Sequence, residues 1–472
     1  MKSKAKYFLA LLVVLFLGIT EAYSRAGGGG GHSGGGGSDD GGGGGGGFGL
    51  FFLLASWPGR IVLIIILIVV AYTRFASKKN SGGTDLVSGT SGGPVGQPDP
   101  IAPEFFTANP GFTTEGFSEK VKTAFLGIQD AWMNKNLGKV RKWISDGVYQ
   151  RFNAQFTMMN ALEQTNILSN INIRQIRVES TIQDGAYSII TASVYFSMDD
   201  NFICKKDPSF NERFTGDTAT EYWTFIKKSG VAEKDLYNTN NCPNCGFALK
   251  NDAGQVSKCE SCGTVTYLGD YDWVLCEIIQ EDDYNAGNYR LTKDSEELQA
   301  IYTEKDSDFC IQLMEDKASN AVMQYFVSQT TQDLKYLNRF TDDALFAKLE
   351  QFIKEQGPFV YNRLFLNDVA LVGMAQDNNM WVATIRIIFS SMRLQQTENG
   401  LTKMDDTVVP DTLIMKLGKK VGAVQKNKLW GFECASCGAP YADTTVTECS
   451  YCSAKINSPD NDWVMIDLTE EA

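Results

Sequence analysis

The chain of 472 residues contains a single histidine, His32, and this residue lies in a run of glycines. Histidine is the side chain that most often acts as acid or base near neutral pH, and it is a common metal ligand. Without it, the rest of the chain cannot build a Ser-His-Asp or Cys-His catalytic group, nor a histidine-ligated metal site. The sequence therefore favours a protein that is not an enzyme.

Basic residues are also scarce. The chain has 43 lysines and arginines against 56 aspartates and glutamates, which gives a formal net charge of -13. A protein this acidic is repelled by phosphate backbones unless its basic residues cluster on one surface. The sequence shows no such cluster, so we expect no nucleic-acid partner.

The N-terminal segment has the composition of an export signal. Three lysines precede an apolar run, and small residues follow it, so residues 1–26 are predicted to be a signal peptide. An uncleaved first membrane helix is the alternative, although the run is short for a span. Residues 27–47 are almost entirely glycine and predict a disordered spacer.

A second apolar stretch, residues 48–76, predicts a transmembrane segment, since from Trp57 to Phe75 it approaches the roughly 20 residues that a bilayer requires. Arg74, Lys78 and Lys79 follow it, and basic flanks stay on the cytoplasmic side. We therefore expect a single-pass protein of the cell membrane, with its C-terminal domains in the cytoplasm. Residues 77–116 are predicted to be a flexible linker.

The remaining chain contains an internal repeat. Residues 117–280 and 307–468 share the order of their motifs, and residues 281–306 are predicted to be a linker between them. WISDGVY parallels RFTDDAL, and DYDWVLCEI parallels DNDWVMIDL. The repeat predicts two tandem domains.

Each copy begins with helical periodicity and continues with strand alternation. In the first copy, apolar residues from Val121 to Trp132 follow a helical spacing, with Ser118 as the expected N-cap. Ile190, Ala192, Val194 and Phe196 then alternate as in a strand. This order predicts an α+β fold, with helices packed on a curved antiparallel sheet and a ribbon inserted between its last two strands.

Eight of the eleven cysteines form four CxxC pairs, two pairs in each copy. A CxxC turn places two thiolates on one side of a metal ion, and a second turn completes a tetrahedron. We therefore predict two structural zinc ions in two zinc ribbons, the first ribbon at 242–262 and the second ribbon at 434–452. Iron and a redox-active dithiol are the alternatives. The expected ligands are Cys242, Cys245, Cys259, Cys262, Cys434, Cys437, Cys449 and Cys452.

Three cysteines stand apart from these pairs. Cys276 and Cys310 lie in apolar contexts that are typical of core residues. Cys204 follows polar residues, and we expect it in a loop, where it is a candidate reactive thiol.

The first copy contains QDAW at Gln129–Trp132, the following WISDGVYQRF, EYWTF and DWVLCEI. On these motifs each copy resembles the Tim44-like domain, named after a subunit of the mitochondrial inner-membrane import machinery. The resemblance covers most of residues 117–280 and, more faintly, 307–468. It implies a cystatin-like or nuclear-transport-factor-two-like roll with a conical pocket, membrane association, and docking of polypeptides, lipids or membrane machinery.

Together these features predict a membrane-anchored, non-enzymatic adaptor or scaffold that binds protein or lipid at the cytoplasmic face of the membrane. The alternative is a small-molecule sensor or enzyme that uses the pocket of the roll, because such folds host many ligands. An apolar, filled pocket would argue against this alternative.

Overall fold

The computed structural model describes residues 22–25, 28–31, 100–284, 291–306, 309–397, 400–423, 434, 436–439 and 446–471. The predicted membrane segment 48–76 lies outside the described residues, as do most of the predicted signal peptide and glycine spacer. In those two segments the described residues form a short antiparallel hairpin, β1 (Ala22–Arg25) and β2 (Gly28–Gly31). None of the helices that the structure describes is long and apolar enough to cross a bilayer.

The first half of the folded chain, residues 100–284, contains helices followed by a four-stranded antiparallel sheet. The strand order is β3-β4-β5-β6. Its elements are α1 (Pro103–Ala108), α2 (Thr114–Asn134), a 3₁₀ turn (Arg141–Trp143), α3 (Asp146–Ala161), β3 (Gln164–Asp184), β4 (Tyr187–Cys204), a second 3₁₀ turn (Pro208–Phe210), β5 (Glu212–Lys228) and β6 (Val274–Gln280).

The second half, residues 291–471, repeats this arrangement with one additional short strand. Its sheet has the order β11-β10-β8-β7, and β9 pairs with β8. Its elements are α4 (Lys293–Lys305), α5 (Ile311–Thr331), α6 (Lys335–Asn338), α7 (Asp343–Gln356), β7 (Val360–Asp377), β8 (Met380–Thr397), β9 (Gly400–Lys403), β10 (Val409–Lys420) and β11 (Val464–Glu470). The α+β class, the two antiparallel sheets and the insertion before the last strand of each sheet agree with the sequence prediction.

The strand alternation of the first copy places one set of side chains on the helices. Ile190, Ala192, Val194 and Phe196 of β4 are fully buried in the core between sheet and helices. Trp223 and Phe225 of β5 join the same core. A two-residue turn at Gly185 and Ala186, with Gly185 at φ 57°, connects β3 to β4, as the Asp-Gly pair indicates.

The structure differs from the predicted element boundaries in three places. Helix α2 begins four residues before the expected cap: Thr113 Oγ1 accepts the N–H of Gly116 at 3.1 Å, whereas Ser118 lies inside the helix and bonds the Thr114 carbonyl. The segment 77–116, predicted as a linker, contains α1. The segment 281–306, also predicted as a linker, contains α4, which buries Tyr302 in the core of the second half. Buried aromatic side chains hold both short helices to the body.

Equivalent hydrogen bonds relate the two halves. The N–H of Ser145, the N-cap of α3, bonds the Leu275 carbonyl at 2.9 Å. The N–H of Asp342, the N-cap of α7, bonds the Met465 carbonyl at 3.0 Å. Ser145 therefore corresponds to Asp342. The sequence comparison, which set WISDGVY against RFTDDAL, is shifted by one residue from this structural equivalence.

The two halves pack through different faces. Helix α3 of the first half lies against α5 of the second half, and β6 lies next to β7. Arg151 on α3 donates to Ser319 on α5 at 2.8 Å, and Gln155 donates to the Leu364 carbonyl at 2.7 Å. Because α5 is the counterpart of α2 and not of α3, the contact is head-to-tail rather than two-fold symmetric.

Candidate metal centres

The structure brings the eight paired cysteines into two tetrads, one in each ribbon. Within each tetrad all four sulfur atoms lie within 4.8 Å of one another. The distance from Cys242 Sγ to Cys262 Sγ is 3.6 Å, and the distance from Cys434 Sγ to Cys452 Sγ is also 3.6 Å. Four thiolates at a zinc–sulfur distance of about 2.3 Å stand about 3.8 Å apart at the corners of a tetrahedron. Both tetrads fit that geometry.

All four CxxC turns have the same backbone hydrogen bonds. The N–H of the residue after the second cysteine returns to the carbonyl of the first: Gly246 to Cys242 at 2.9 Å, Gly263 to Cys259 at 2.9 Å, Gly438 to Cys434 at 2.7 Å and Ser453 to Cys449 at 2.9 Å. The N–H of the first cysteine in each pair donates to the carbonyl of the second residue after the second cysteine, for example from Cys242 to Phe247 at 2.7 Å. These turns hold paired sulfurs in place without help from distant side chains.

Each turn requires a left-handed backbone at its last position. Gly246, Gly263 and Gly438 have φ of 76°, 74° and 77°, and Ser453 takes φ of 56° at the fourth such position. A residue with a Cβ is disfavoured there, which explains the three glycines. Ser453 is the exception.

Burial and hydrogen bonding differ between the sulfurs. The first cysteine of each pair is buried and the second is exposed. The Thr264 hydroxyl lies 3.1 Å from Cys262 Sγ and lowers the pKa of that thiol to about 6. The Tyr451 N–H lies 3.4 Å from Cys449 Sγ and lowers the pKa of that thiol to about 7. Both contacts favour the thiolate, which is the metal-binding form.

The donor set is four sulfurs from the chain in each tetrad, so a tetrahedral ion would have no position left for water or substrate. Such a site stabilises a fold and does not carry out chemistry on a substrate. The residues fit zinc, and they also fit iron.

The unpaired cysteines take no part in the tetrads. Cys276 and Cys310 are buried in one small apolar cluster, in agreement with their predicted place in the core. Cys204 was expected in a loop as a candidate reactive thiol, but it ends strand β4 and is only 1% exposed. A thiol so inaccessible is not reactive towards solutes.

The first ribbon is fixed to the body by Arg141, which lies in the turn before α3. Its guanidinium lies 3.4 Å from the centre of the Tyr267 ring, and its Nε donates to the Gln255 carbonyl at 2.6 Å. The same side chain forms an ion pair with Asp146 and is fully buried. The next residue, Lys142, donates to the Thr239 carbonyl at 2.6 Å. One short turn thus contacts the segments on both sides of the ribbon and the loop between its two CxxC turns.

A buried lysine–aspartate pair recurs where each ribbon returns to its sheet. Lys120 on α2 pairs with Asp272, and Lys317 on α5 pairs with Asp462 at 2.7 Å. Burial lowers the pKa of Lys317 to about 8, opposed by the neighbouring Asp462 carboxylate. Each aspartate precedes a tryptophan, and this Asp-Trp dipeptide, shared by both copies, is the sequence feature that could have indicated the pair. The lysine partners were missed because they lie more than a hundred residues away.

Within the described part of the chain, two small cavities open between the halves. The one beside Arg363 and Phe202 has a volume of about 20 Å³, and the one beside Arg151 and Met323 has a volume of about 10 Å³. A single water molecule needs roughly 10–15 Å³ measured in this way. These cavities hold about one water each, and their linings are mainly apolar.

A family model described as the Tim44-like domain matches residues 103–237. The match begins at α1, covers the helices and the first three strands of the first half, and ends before Cys242. It confirms the resemblance over this range, and neither tetrad lies within it. No curated protein matches the chain.

Proposed function

We propose that the chain is a membrane-anchored, non-enzymatic scaffold that binds protein or lipid at the cytoplasmic face of the cell membrane. The observation that carries the proposal is the match of residues 103–237 to the Tim44-like domain, a family whose members associate with membranes and proteins. Each half would be one Tim44-like roll, so the chain would present two related docking domains on one anchor.

The packed interior of the first half favours a scaffold and disfavours an enzyme that binds a ligand inside the roll. The space between helices and sheet is filled by aromatic and aliphatic side chains, among them Phe125, Phe196 and Trp223, all fully buried. The cavities described between the halves hold about one water each. Space for about one water molecule is too small for a substrate or a cofactor.

In this proposal zinc is a structural ion in both ribbons. Metal analysis of the purified full chain should find two zinc ions per chain, and exchange of Cys437 for serine should reduce this number to one. Finding iron, or no metal, would contradict the zinc assignment. The family match and the scaffold would not be affected by that result.

The membrane topology can be tested with an engineered thiol. Lys139, whose side chain is 79% exposed, is suited to the exchange Lys139→Cys in the full-length chain. A membrane-impermeant maleimide should label this cysteine in lysed cells and not in intact cells, because the proposal places both halves in the cytoplasm. Labelling of intact cells would reverse the topology.

The scaffold itself is tested by capture of the tagged full-length protein from native membranes after mild crosslinking. One membrane protein, or one lipid class, should be recovered in a stoichiometric amount. Recovery should fall for Cys437→Ser if the second ribbon takes part. Stoichiometric recovery of a small solute instead would favour a sensor or enzyme.

A further inference from the structure

The two ribbons are built alike, but they join strands in different positions. The first ribbon leads into β6, the edge strand of the first sheet that faces the second half. The second ribbon leads into β11, which lies at the opposite edge of its sheet from β7, the strand beside the first half. The same kind of metal site therefore precedes a strand at the boundary in one half and a strand far from it in the other.

Strand β6 contributes directly to the contact between the halves. Val274 and Cys276 form a buried cluster with Cys310, the N-cap of α5 in the second half. Glu277 lies 3.9 Å from the Arg151 guanidinium, and Arg151 in turn donates to Ser319 of α5. A displaced β6 would remove one wall of this interface.

The position of β6 also fixes the start of helix α3. The Leu275 carbonyl accepts the N–H of Ser145, and Ser145 Oγ donates to the Asp316 carboxylate of α5. The other carboxylate oxygen of Asp316 accepts the Gly147 N–H at 3.1 Å. The chain of contacts thus runs from β6, through the first turn of α3, to the second half.

Strand β11 makes the corresponding contacts only within its own half. Among the described residues, all of its hydrogen bonds and ion pairs are with second-half residues. Met465, for example, bonds Asp342 and Phe340 through its backbone, and Asp467 pairs with Lys416. The equivalent of the Ser145 bond is the bond from the Asp342 N–H to the Met465 carbonyl, which holds α7. Helix α7 lies away from the first half, and Phe352 on its outer side is 43% exposed.

The first ribbon closes the loop that brings β6 back to β5. Hydrogen bonds join the segments that enter and leave it, among them the Leu236 N–H to the Asp272 carboxylate at 3.0 Å and the Tyr237 hydroxyl to the Trp273 carbonyl at 2.8 Å. Without a metal, the sulfurs no longer hold the ribbon together, and the long segment between Lys228 and Val274 must be ordered by such bonds and by the contacts of Arg141 and Lys142. Loop closure is then entropically less favourable for β6.

We propose that metal binding at the first tetrad controls the docking of the two halves, whereas metal binding at the second tetrad orders the edge of its own sheet and the Lys317–Asp462 pair beside it, all within the second half. The inference rests on the proposed metal occupancy of both ribbons. It adds an asymmetry: two equivalent sites have different consequences because only one precedes a strand at the boundary. Loss of metal from the first ribbon would free the second half from the first.

Two matched variants of the full-length chain test the asymmetry, Cys262→Ser and Cys452→Ser, each of which removes the last ligand of one tetrad. Hydrogen exchange is followed by mass spectrometry in the protein reconstituted in lipid nanodiscs, alongside zinc content. In Cys262→Ser we expect exchange in residues 311–316 of α5, where the Ile311 N–H donates to Asp184 of the first half at 2.6 Å, to rise about tenfold, a typical size for coupling between sites. In Cys452→Ser residues 311–316 should exchange as in the wild type, and faster exchange should be confined to the second ribbon, β11 and the turn of α5 around Lys317, which pairs with Asp462.

A conservative variant separates loss of metal from loss of fold. Cys262→His keeps a nitrogen ligand for zinc, so it should retain two zinc ions and near-normal exchange in residues 311–316. If Cys262→Ser unfolds the entire first half, slow exchange in Cys262→His still attributes the effect to the metal.

Each remaining outcome contradicts the inference. Equal effects of Cys262→Ser and Cys452→Ser on residues 311–316 would overturn the asymmetry, as would a Cys262→Ser effect confined to the first ribbon. If the wild type holds two zinc ions and docking does not depend on them, only this inference fails. If the wild type holds no metal, the zinc assignment fails together with it.

Discussion

At the scale of single residues, the four CxxC turns differ in one position that the structure makes informative. Three turns end in glycine at positive φ, and the fourth ends in Ser453 at φ 56°. Around Gly438, the equivalent residue in the other turn of the second ribbon, an added Cβ would meet no atom within 4 Å. Only backbone conformation therefore distinguishes serine from glycine at these positions.

Exchanging these two residues should move metal affinity in opposite directions. Ser453→Gly relieves a left-handed conformation and should stabilise the metal-bound ribbon by about 1 kcal/mol, and Gly438→Ser should destabilise it by about the same amount. Competition with a zinc chelator would report each as a roughly fivefold change in apparent affinity. Equal affinities for the two variants would show that the turn is not under this constraint in solution.

The buried pair of Lys317 and Asp462 is a second residue-scale feature. The Lys317 side chain is fully buried, so removing its carboxylate partner leaves a desolvated ammonium group. Asp462→Ala should therefore destabilise the second half by roughly 3–5 kcal/mol, measured by urea unfolding. The matched control is Asp460→Ala, since Asp460 and its partner Lys420 are both more than half exposed. The control should change the free energy of unfolding by less than about 1 kcal/mol.

At the scale of elements, the alternation of apolar residues predicted β4 and β8 because each strand has one face on a helix layer. The start of α2 was misplaced because two hydroxyl residues compete to cap it. Thr113 lies before the first turn and accepts the Gly116 N–H, whereas Ser118 bonds back to Thr114 within the helix. Capping patterns alone do not distinguish the two roles.

The turn before α3 is the element that joins the first ribbon to the body, and Arg141 is its central residue. Arg141→Lys removes the planar group that stacks on Tyr267 and bonds Gln255, and it should destabilise the first half by about 3 kcal/mol. Urea unfolding monitored by tryptophan fluorescence would measure this change. Lys139→Ala, at an exposed neighbouring position, should leave the unfolding midpoint unchanged. An equal loss in both variants would contradict the anchoring role of Arg141.

At the scale of the whole molecule, carboxylates gather where the halves meet, beside the guanidinium of Arg151. Burial raises the pKa of Glu277 to about 7, that of Asp316 to about 7 and that of Asp368 to about 6, and it places the pKa of Glu315 well above its usual value. Arg151 partly offsets the shifts of Glu277, Asp316 and Asp368. The protonated carboxyls are thus compatible with burial, and their ionised forms are not.

The interface should therefore weaken as pH rises. The folded protein binds more protons than the unfolded chain between about pH 4, the unfolded carboxyl pKa, and about pH 7, so this contribution to stability is lost across that window. Urea midpoints measured from pH 5 to pH 8 should fall, and Glu277→Gln should flatten the slope. A slope unchanged by Glu277→Gln would contradict this account. Asp460→Asn serves as the control, because the Asp460 side chain is more than half exposed, and it should leave the slope unchanged.

The face on which the halves meet could not be predicted from the repeat. Gln155 on α3 and Phe352 on α7 occupy equivalent positions, ten residues after the N-caps Ser145 and Asp342. The glutamine is buried, with 8% exposure, and the phenylalanine is 43% exposed. From polarity alone, the phenylalanine would be expected to be buried and the glutamine exposed. Their burial is decided by the neighbouring helix: α3 packs on α5 of the next half, and α7 has no such neighbour among the described helices.

The sequence by itself determined the features that depend on local chemistry. The CxxC spacing determined the two tetrads, because a tight turn presents both sulfurs, and alternation determined the strands, because side chains point to opposite faces in turn. Only the tertiary structure decided the lysine–aspartate pairs, the Arg141 anchor and the contact between halves. These link residues far apart in the chain, and their partners are selected by packing geometry, which no local pattern encodes.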